Sequence, residues 1–197
     1  MRNKTNRTVS IKIAALIAAI VLVIGCTAGG TVAWLVSKPD PIVNVFTVGN
    51  INATLTETKT AFKIVPGVDI AKDPVATVTA NSEDCYLFVQ LTEKNWPTFT
   101  EKDSTARKVK YEIANGWTKL ESENGVYYRE VTKKDTDQPF DVLKGNKVTV
   151  SSTLTKENAD AIQKAEAPKL TVAVYAVQKE GMGSVEKAWA TATAKDQ

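Results

Sequence analysis

From residue 42 onward the dominant period of the sequence is two, and this alternation constrains the fold more than any other feature. Ile51, Ala53 and Leu55 alternate with polar neighbours, which gives that segment one apolar and one polar face. Turn residues separate such segments at intervals of about ten residues, as in antiparallel β-sandwiches. The segments predicted to be strands are Ile42–Val48, Ile51–Thr56, Val75–Ala80, Cys85–Thr92, Val109–Ile113, Val126–Val131, Lys147–Leu154 and Lys169–Gln178.

Two segments with helical spacing interrupt the strands. Thr155 is a suitable N-cap for a helix over 156–165, and Ser184 is a suitable N-cap for a helix over 185–192. The sequence contains no internal repeat and no low-complexity linker that would divide this part of the chain. We therefore expect one all-β domain over residues 42–197, an antiparallel sandwich with one or two short helices.

Residues 1–33 have the character of a signal peptide. Residues 1–12 contain basic side chains and no acidic ones, and residues 13–24 form an unbroken apolar run, IAALIAAIVLVI. In such a segment the basic residues stay on the cytoplasmic side while the apolar run enters the bilayer as a helix. We therefore expect export through the Sec pathway, to the extracellular space or the cell surface.

The end of the signal segment allows three outcomes. Cleavage between Ala33 and Trp34 is predicted because small residues occupy the two positions that a signal peptidase reads. Residues 13–36 are uncharged and long enough for a hydrocarbon core of roughly 30 Å, so retention as a membrane anchor is a second outcome. In the third, Val23-Ile24-Gly25-Cys26 acts as a lipobox and Cys26 is lipidated. Residues 34–41 would follow as an extended, proline-containing tether.

Composition excludes several classes of enzyme. The chain has no His, which rules out the Ser-His-Asp triad, the Cys-His pair and His-ligated zinc, and its two Cys are too few for an all-cysteine zinc site. No phosphate-binding loop, dinucleotide fingerprint or nucleophile elbow is present. The acidic pairs and triplets, at 83–84, 121–123 and 135–141, are typical of solvated turns. We therefore predict no catalytic residue, no metal site and no cofactor.

The charge balance gives little support for nucleic-acid binding. The formal net charge is +3, from 25 basic and 22 acidic residues. Without the four basic residues of the first twelve positions, 21 basic side chains face 22 acidic ones, so the remainder is close to neutral. The one compact basic cluster, Arg107, Lys108 and Lys110, alternates with Val109 and Tyr111 as the polar face of a strand does.

Two further features each have a structural and a functional interpretation. Cys85 lies in an apolar segment and is expected to be a buried strand residue, with an intermolecular disulfide as the alternative. Aromatic residues among strands usually belong to the core, with a sugar-binding platform as the alternative. The aromatic residues concerned are Trp96, Trp117, Tyr127, Tyr128 and Trp189.

Several segments together resemble one family. Gly29–Leu35 (GGTVAWL), Asn44–Ile51 (NVFTVGNI) and Leu55-Thr56-Glu57 are similar to the leader junction and first strands of the TasA/camelysin-type exported proteins of Gram-positive bacteria. The later segments that agree in order are Val65-Pro66-Gly67, Lys72-Asp73-Pro74, Asn115-Gly116-Trp117, Gly125–Tyr128, Val174–Gln178 and Ala188-Trp189-Ala190. The usual Asn-x-Gly turn appears here as Thr79-Ala80-Asn81-Ser82.

The resemblance implies a jelly-roll-like sandwich, a leader cleaved by a SipW-type signal peptidase, and assembly into surface or biofilm-matrix fibres. In such fibres an N-terminal strand of one subunit completes the sheet of the next. The candidate donor strand here comprises Ile42, Val43, Val45, Phe46 and Val48. The alternative is that this strand pairs within its own subunit.

The sequence therefore predicts a non-catalytic, exported structural protein. Its expected partners are the signal peptidase during export, further copies of itself or related fibre subunits, and the membrane through the N-terminal segment before cleavage. The alternatives are a surface adhesin or carbohydrate-binding module, and a camelysin-like metalloendopeptidase. The absence of His, and hence of the zinc motif HExxH, argues against the metalloendopeptidase.

Overall fold

The computed structural model describes residues 45–48, 50–58, 64–102, 104–164 and 168–194. The predictions for the signal segment, its cleavage between Ala33 and Trp34, the lipobox at Cys26 and the tether lie outside the described residues. The first two donor-strand positions, Ile42 and Val43, also lie outside them.

The described residues contain eleven strands, a short 3₁₀ turn and two helices. The strands are β1 (Val45–Val48), β2 (Ala53–Thr56), β3 (Ile70–Ala71), β4 (Val75–Val78), β5 (Cys85–Lys94), β6 (Val109–Lys110), β7 (Thr118–Lys119), β8 (Val126–Val131), β9 (Gln138–Asp141), β10 (Lys147–Val150) and β11 (Lys169–Gln178). The 3₁₀ turn is Lys144–Asn146, and the helices are α1 (Lys156–Lys164) and α2 (Val185–Thr193). The all-β class is therefore confirmed.

One five-stranded sheet, in the order β1-β11-β5-β8-β7, contains the longest strands. Its centre is the antiparallel pair β5 and β11, in which Cys85 faces Gln178 and Lys94 faces Lys169. Both strands are apolar on both faces over most of their length, as expected of strands that are covered on each side. Among the described strand pairs only β1–β11 is parallel, which departs from the fully antiparallel sheet predicted from the sequence.

The remaining strands form two three-stranded sheets, β3-β10-β6 and β2-β4-β9, which are joined by backbone hydrogen bonds. Residues 72–74 separate β3 from β4, but hydrogen bonds continue across the gap. The Lys72 amide donates to the Asn146 carbonyl at 2.9 Å, and the Val142 amide donates to the Pro74 carbonyl at 3.0 Å. Strand β2 contacts both β1 and β11 of the five-stranded sheet.

Helix α2 packs against one face of the five-stranded sheet. Its Trp189 ring lies 5.3 Å from the Phe88 ring and 5.0 Å from the Tyr175 ring, between centroids. Ala188 and Ala192 are buried on the same side of the helix. The Ser184 side chain accepts a hydrogen bond from the Lys187 amide and caps the first turn, as predicted.

Most differences from the predicted elements lie at their ends. Strands β8 and β11 have the predicted bounds, whereas β10 ends at Val150 because Ser151 and Thr153 form a turn in which the Thr153 amide donates to the Ser151 hydroxyl. Strands β3, β7 and β9 were not predicted. The Thr155 hydroxyl accepts the Asn158 amide and begins α1, as predicted. Neither described helix has the length and apolar character needed to cross a bilayer.

Replacing Phe88 with Ala should lower the free energy of unfolding by about 3–5 kcal/mol, because its ring is fully buried between α2 and the five-stranded sheet. Val68→Ala is the matched control, since Val68 is 52% exposed; its effect should stay within about 0.5 kcal/mol. Urea unfolding followed by fluorescence measures both. Equal effects for the two variants would contradict the assigned core.

Candidate functional site

Strand β1 is the edge strand of the five-stranded sheet, and its only described strand partner in that sheet is β11. The parallel register places Val45 beside Val174 and Val48 beside Val177. One backbone edge of β1 therefore bonds to β11, and no described strand pairs with the other. An edge strand of this kind is available to other chains.

The partner strand β11 is deeply buried beneath this edge. Val174, Ala176 and Val177 are 0% exposed, and Tyr175 is 6% exposed. Helix α2 contacts β1 as well as β11, and β2 contacts both strands too. If β1 were removed, β11 would lose its parallel strand partner.

Immediately after β1 the chain is hydrogen-bonded to the turn that follows β4. The Asn50 carbonyl accepts the Glu83 amide at 3.3 Å, and the Asn52 carbonyl accepts the Thr79 amide at 2.8 Å. The Asn52 amide donates to the Ser82 hydroxyl at 3.1 Å, and Ser82 is 4% exposed. The turn at Asn81-Ser82 thus anchors the chain just beyond β1.

A buried ion pair joins the residue after β2 to the segment between β3 and β4. Lys72 Nζ lies 2.5 Å from Glu57 Oε1, and the two side chains are 3% and 11% exposed. Beside this pair, the Asp73 carboxylate accepts hydrogen bonds from the Thr58 amide and hydroxyl. These contacts join the two residues that follow β2 to Lys72 and Asp73.

The aromatic residues considered for a sugar platform are not brought together on one surface. Trp189 lies in the core beneath α2, and Trp96 is 8% exposed, with Nε1 donating to the Val109 carbonyl. Trp117 is half-buried, and its Nε1 donates to the Asp141 carbonyl at 2.8 Å. Tyr127 and Tyr128 are half-buried on β8. For these aromatic residues a structural role in the fold is therefore favoured over a sugar-binding platform.

Arg129 lies between Trp117 and Phe140, with its guanidinium carbon 5.1 Å and 3.8 Å from the two ring centroids. Partial burial lowers the pKa of this guanidinium. A Cβ added at Gly116, whose φ is +86°, would lie 2.6 Å from Arg129 Nη2. The sequence analysis did not predict this stack. It links Trp117, in the turn before β7, to Phe140 on β9.

The acidic groups are engaged in surface contacts. Glu83 pairs with Lys133 at 2.7 Å, Glu121 pairs with Lys119 at 2.8 Å, and the Asp137 carboxylate accepts the Ala80 amide. Among the described residues, no group of three or more Cys, Asp or Glu could hold a metal ion.

A shallow depression of about 470 Å³ lies over β10 and the residues after β6, and three lysines line it. Lys144 pairs with Glu112 at 2.7 Å and Lys147 pairs with Asp69 at 2.6 Å; these contacts lower the pKa of both carboxyls. Lys110 is the third lysine of this wall. In the basic cluster at 107–110, Arg107 pairs with Glu93 at 2.6 Å, and Lys108 Nζ donates to the Thr153 carbonyl at 2.7 Å.

Cys85, the described thiol, is 0% exposed at the start of β5, which confirms its interpretation as a buried strand residue. Burial raises the pKa of the Cys85 thiol to about 12, and the neighbouring Asp84 carboxylate adds to the rise. A thiol of this kind is chemically inert in the folded protein.

Comparison with known proteins found no matching family model, no matching curated protein and no matching solved structure. The candidate site therefore rests on geometry: the edge formed by β1 and β11, closed by α2 and β2.

Cys85 should react with iodoacetamide roughly a thousandfold more slowly at pH 8 in the folded protein than after unfolding in guanidinium, because the folded thiol stays protonated. The Cys26→Ser variant isolates this thiol, since the chain has two Cys. Mass spectrometry of the alkylated protein gives both rates. Rapid labelling of the native protein would contradict the burial of the thiol, whereas a dimer that dithiothreitol converts to monomer would support the intermolecular disulfide.

Proposed function

We propose that this protein is an exported, non-catalytic structural subunit of the cell surface or biofilm matrix, and that its copies join by exchange of β1. The observation that carries the proposal is the position of β1: it is the first described strand, lies at a sheet edge, and pairs in parallel with β11. A terminal strand at an edge can leave without breaking any other strand pair.

The surface that β1 covers suits a strand from another copy. Release of β1 exposes the backbone edge of β11 beside the fully buried Val174 and Val177. Backbone hydrogen bonds supply affinity in strand addition, and alternate side-chain pockets supply specificity. The β1 segment of a second copy has the sequence that already pairs with this edge.

The hydrogen bonds of Asn50 and Asn52 define which segment can exchange between subunits. From Asn50 onward the chain is bonded to the turn that follows β4, so the exchanging unit is the segment before Asn50. With cleavage between Ala33 and Trp34, residues 34–49 form that unit. Fully extended, sixteen residues span about 50 Å, which is enough to reach a neighbouring subunit.

The exchange makes an open assembly. Each copy gives its β1 to one neighbour and receives β1 from another, so the contact is head-to-tail and generates a fibre when the rotation does not close. We take the finer fold to be a jelly-roll-like sandwich of the TasA/camelysin type, exported behind a SipW-type signal peptide. The five-stranded sheet and its contacts with β2 support this interpretation.

A cross-linking experiment tests strand exchange directly. Chains beginning at Trp34 and carrying Thr47→Cys are mixed with chains carrying Ala176→Cys, because these positions are register partners. Under mild oxidation we expect a disulfide-linked dimer of the two kinds of chain on a non-reducing gel, and filaments of the unmodified chain by electron microscopy. Deletion of residues 34–48 should abolish the filaments.

Thr171→Cys provides the matched control, since Thr171 lies on β11 outside its pairing with β1 and should not cross-link with Thr47→Cys. A chain that stays monomeric at high concentration and forms no mixed dimer would overturn the proposal. Saturable glycan binding weakened by Trp117→Ala would instead favour an adhesin. Chelator-sensitive cleavage of casein would favour a metalloendopeptidase.

A further inference from the structure

Two shallow depressions on the β3-β10-β6 sheet join into one groove, which the proposed function does not use. They have volumes of about 470 Å³ and about 390 Å³, and Lys110 and Thr149 belong to the walls of both. Along β10 and the residue after it, the wall runs from Lys147 to Ser151, which is about 13 Å of extended chain. The groove is thus longer than a single sugar ring or phosphate group, and it suits a chain-like ligand.

The groove concentrates positive charge that the rest of the chain does not have. Five basic and three acidic side chains line it: Arg107, Lys108, Lys110, Lys144 and Lys147, with Asp69, Glu101 and Glu112. Of the 21 basic and 22 acidic residues after position 12, this leaves 16 basic against 19 acidic residues elsewhere. The groove is therefore net positive on a chain that is otherwise net negative there, and this field attracts anions to it.

Lys108 and Lys110 differ from the other cations of the groove, because neither has a carboxylate partner among the residues that the structure describes. Lys108 Nζ donates to the Thr153 carbonyl at 2.7 Å, and Lys110 is exposed. The pKa of Glu101 is lowered by hydrogen bonds from Ser151 and Thr153, and further by the charges of Lys108 and Lys110. The two lysines thus act on the groove without being neutralised by direct ion pairs.

The other three cations are held in ion pairs at the surface. Arg107 pairs with Glu93, and Lys144 and Lys147 pair with carboxylates of the groove wall. Exposed pairs of this kind contribute little to stability, and their partners are exchanged at small cost. These cations are therefore also available to an incoming anion.

The wall carboxylates and hydroxyls indicate which kind of anion fits. A nucleic acid or polyphosphate carries a charge on every unit and would bring phosphates against the three carboxylates. An acidic polysaccharide separates its carboxylates by neutral hydroxyls, which can donate hydrogen bonds to the carboxylates of the wall. The hydroxyls of Thr149 and Ser152 and the half-buried ring of Tyr111 offer further polar and apolar contacts to a sugar.

We propose that this groove binds an acidic polysaccharide, whose carboxylates contact Lys108 and Lys110. The inference does not depend on the exchange of β1, because no residue of the groove belongs to β1, β11 or α2. In an exported structural protein, the groove would attach each subunit to an acidic glycan outside the cell.

The test is a calorimetric titration of the purified protein with sodium polygalacturonate at low ionic strength. We expect saturable binding that weakens as salt is added, because salt screens exposed charges. Lys108→Gln combined with Lys110→Gln should lower the affinity about tenfold, since two charge-assisted contacts are lost. Glu112→Gln should raise it about threefold, because Gln keeps an acceptor but removes a repelling charge and releases Lys144. A damaged fold would not produce this gain.

Lys119→Gln combined with Lys156→Gln is the matched control, because both lysines are exposed, lie outside the groove and carry the same total charge. This variant should bind as the unaltered protein does, and so should Trp117→Ala, which separates the groove from the aromatic residues considered above. Equal weakening by the two pairs of lysine substitutions, equally tight binding of neutral dextran, or no saturable binding would each overturn the proposal. Tighter binding of polyphosphate or single-stranded DNA at the same salt concentration would also overturn it.

Discussion

The antiparallel pairing of β5 with β11 is the interaction on which the rest of the structure depends. The two strands pair along their whole length, from Cys85 beside Gln178 to Lys94 beside Lys169. Most of their side chains are buried, so the pair supplies apolar surface to both faces of its sheet. Helix α2 packs on one face through Trp189, while β1 and β8 extend the sheet on either side.

The edges of the described sheets are not equivalent. Strand β7 has only two residues, and β9 carries Pro139, which cannot donate to a further strand. Short strands and prolines are common ways of protecting an edge from association. Strand β1 has four residues and lies at the N-terminal end of the described domain. Among the described strands, β1 thus combines an edge position in the five-stranded sheet with a place at the start of the described domain, and the proposed assembly is built on this combination.

Local patterns in the sequence were sufficient for the main elements. Lys169–Gln178 and Val126–Val131 were predicted with the bounds that the structure has, because long alternating or apolar runs determine strands almost independently of their surroundings. The helix cap at Ser184 and the burial of Cys85 also follow from nearby residues. Strands β3, β7 and β9 were missed, because two to four partly polar residues become a strand only when a partner lies beside them.

The sequence by itself determined that the chain after residue 42 is β-rich and that no imidazole chemistry is available, since both follow from residue types and their spacing. Only the tertiary structure decided that β1 runs parallel to β11, and that Lys72 pairs with Glu57. These relations join residues far apart in the chain. They arise from strand order and register, which depend on the packing of the whole domain and leave no local signal in the sequence.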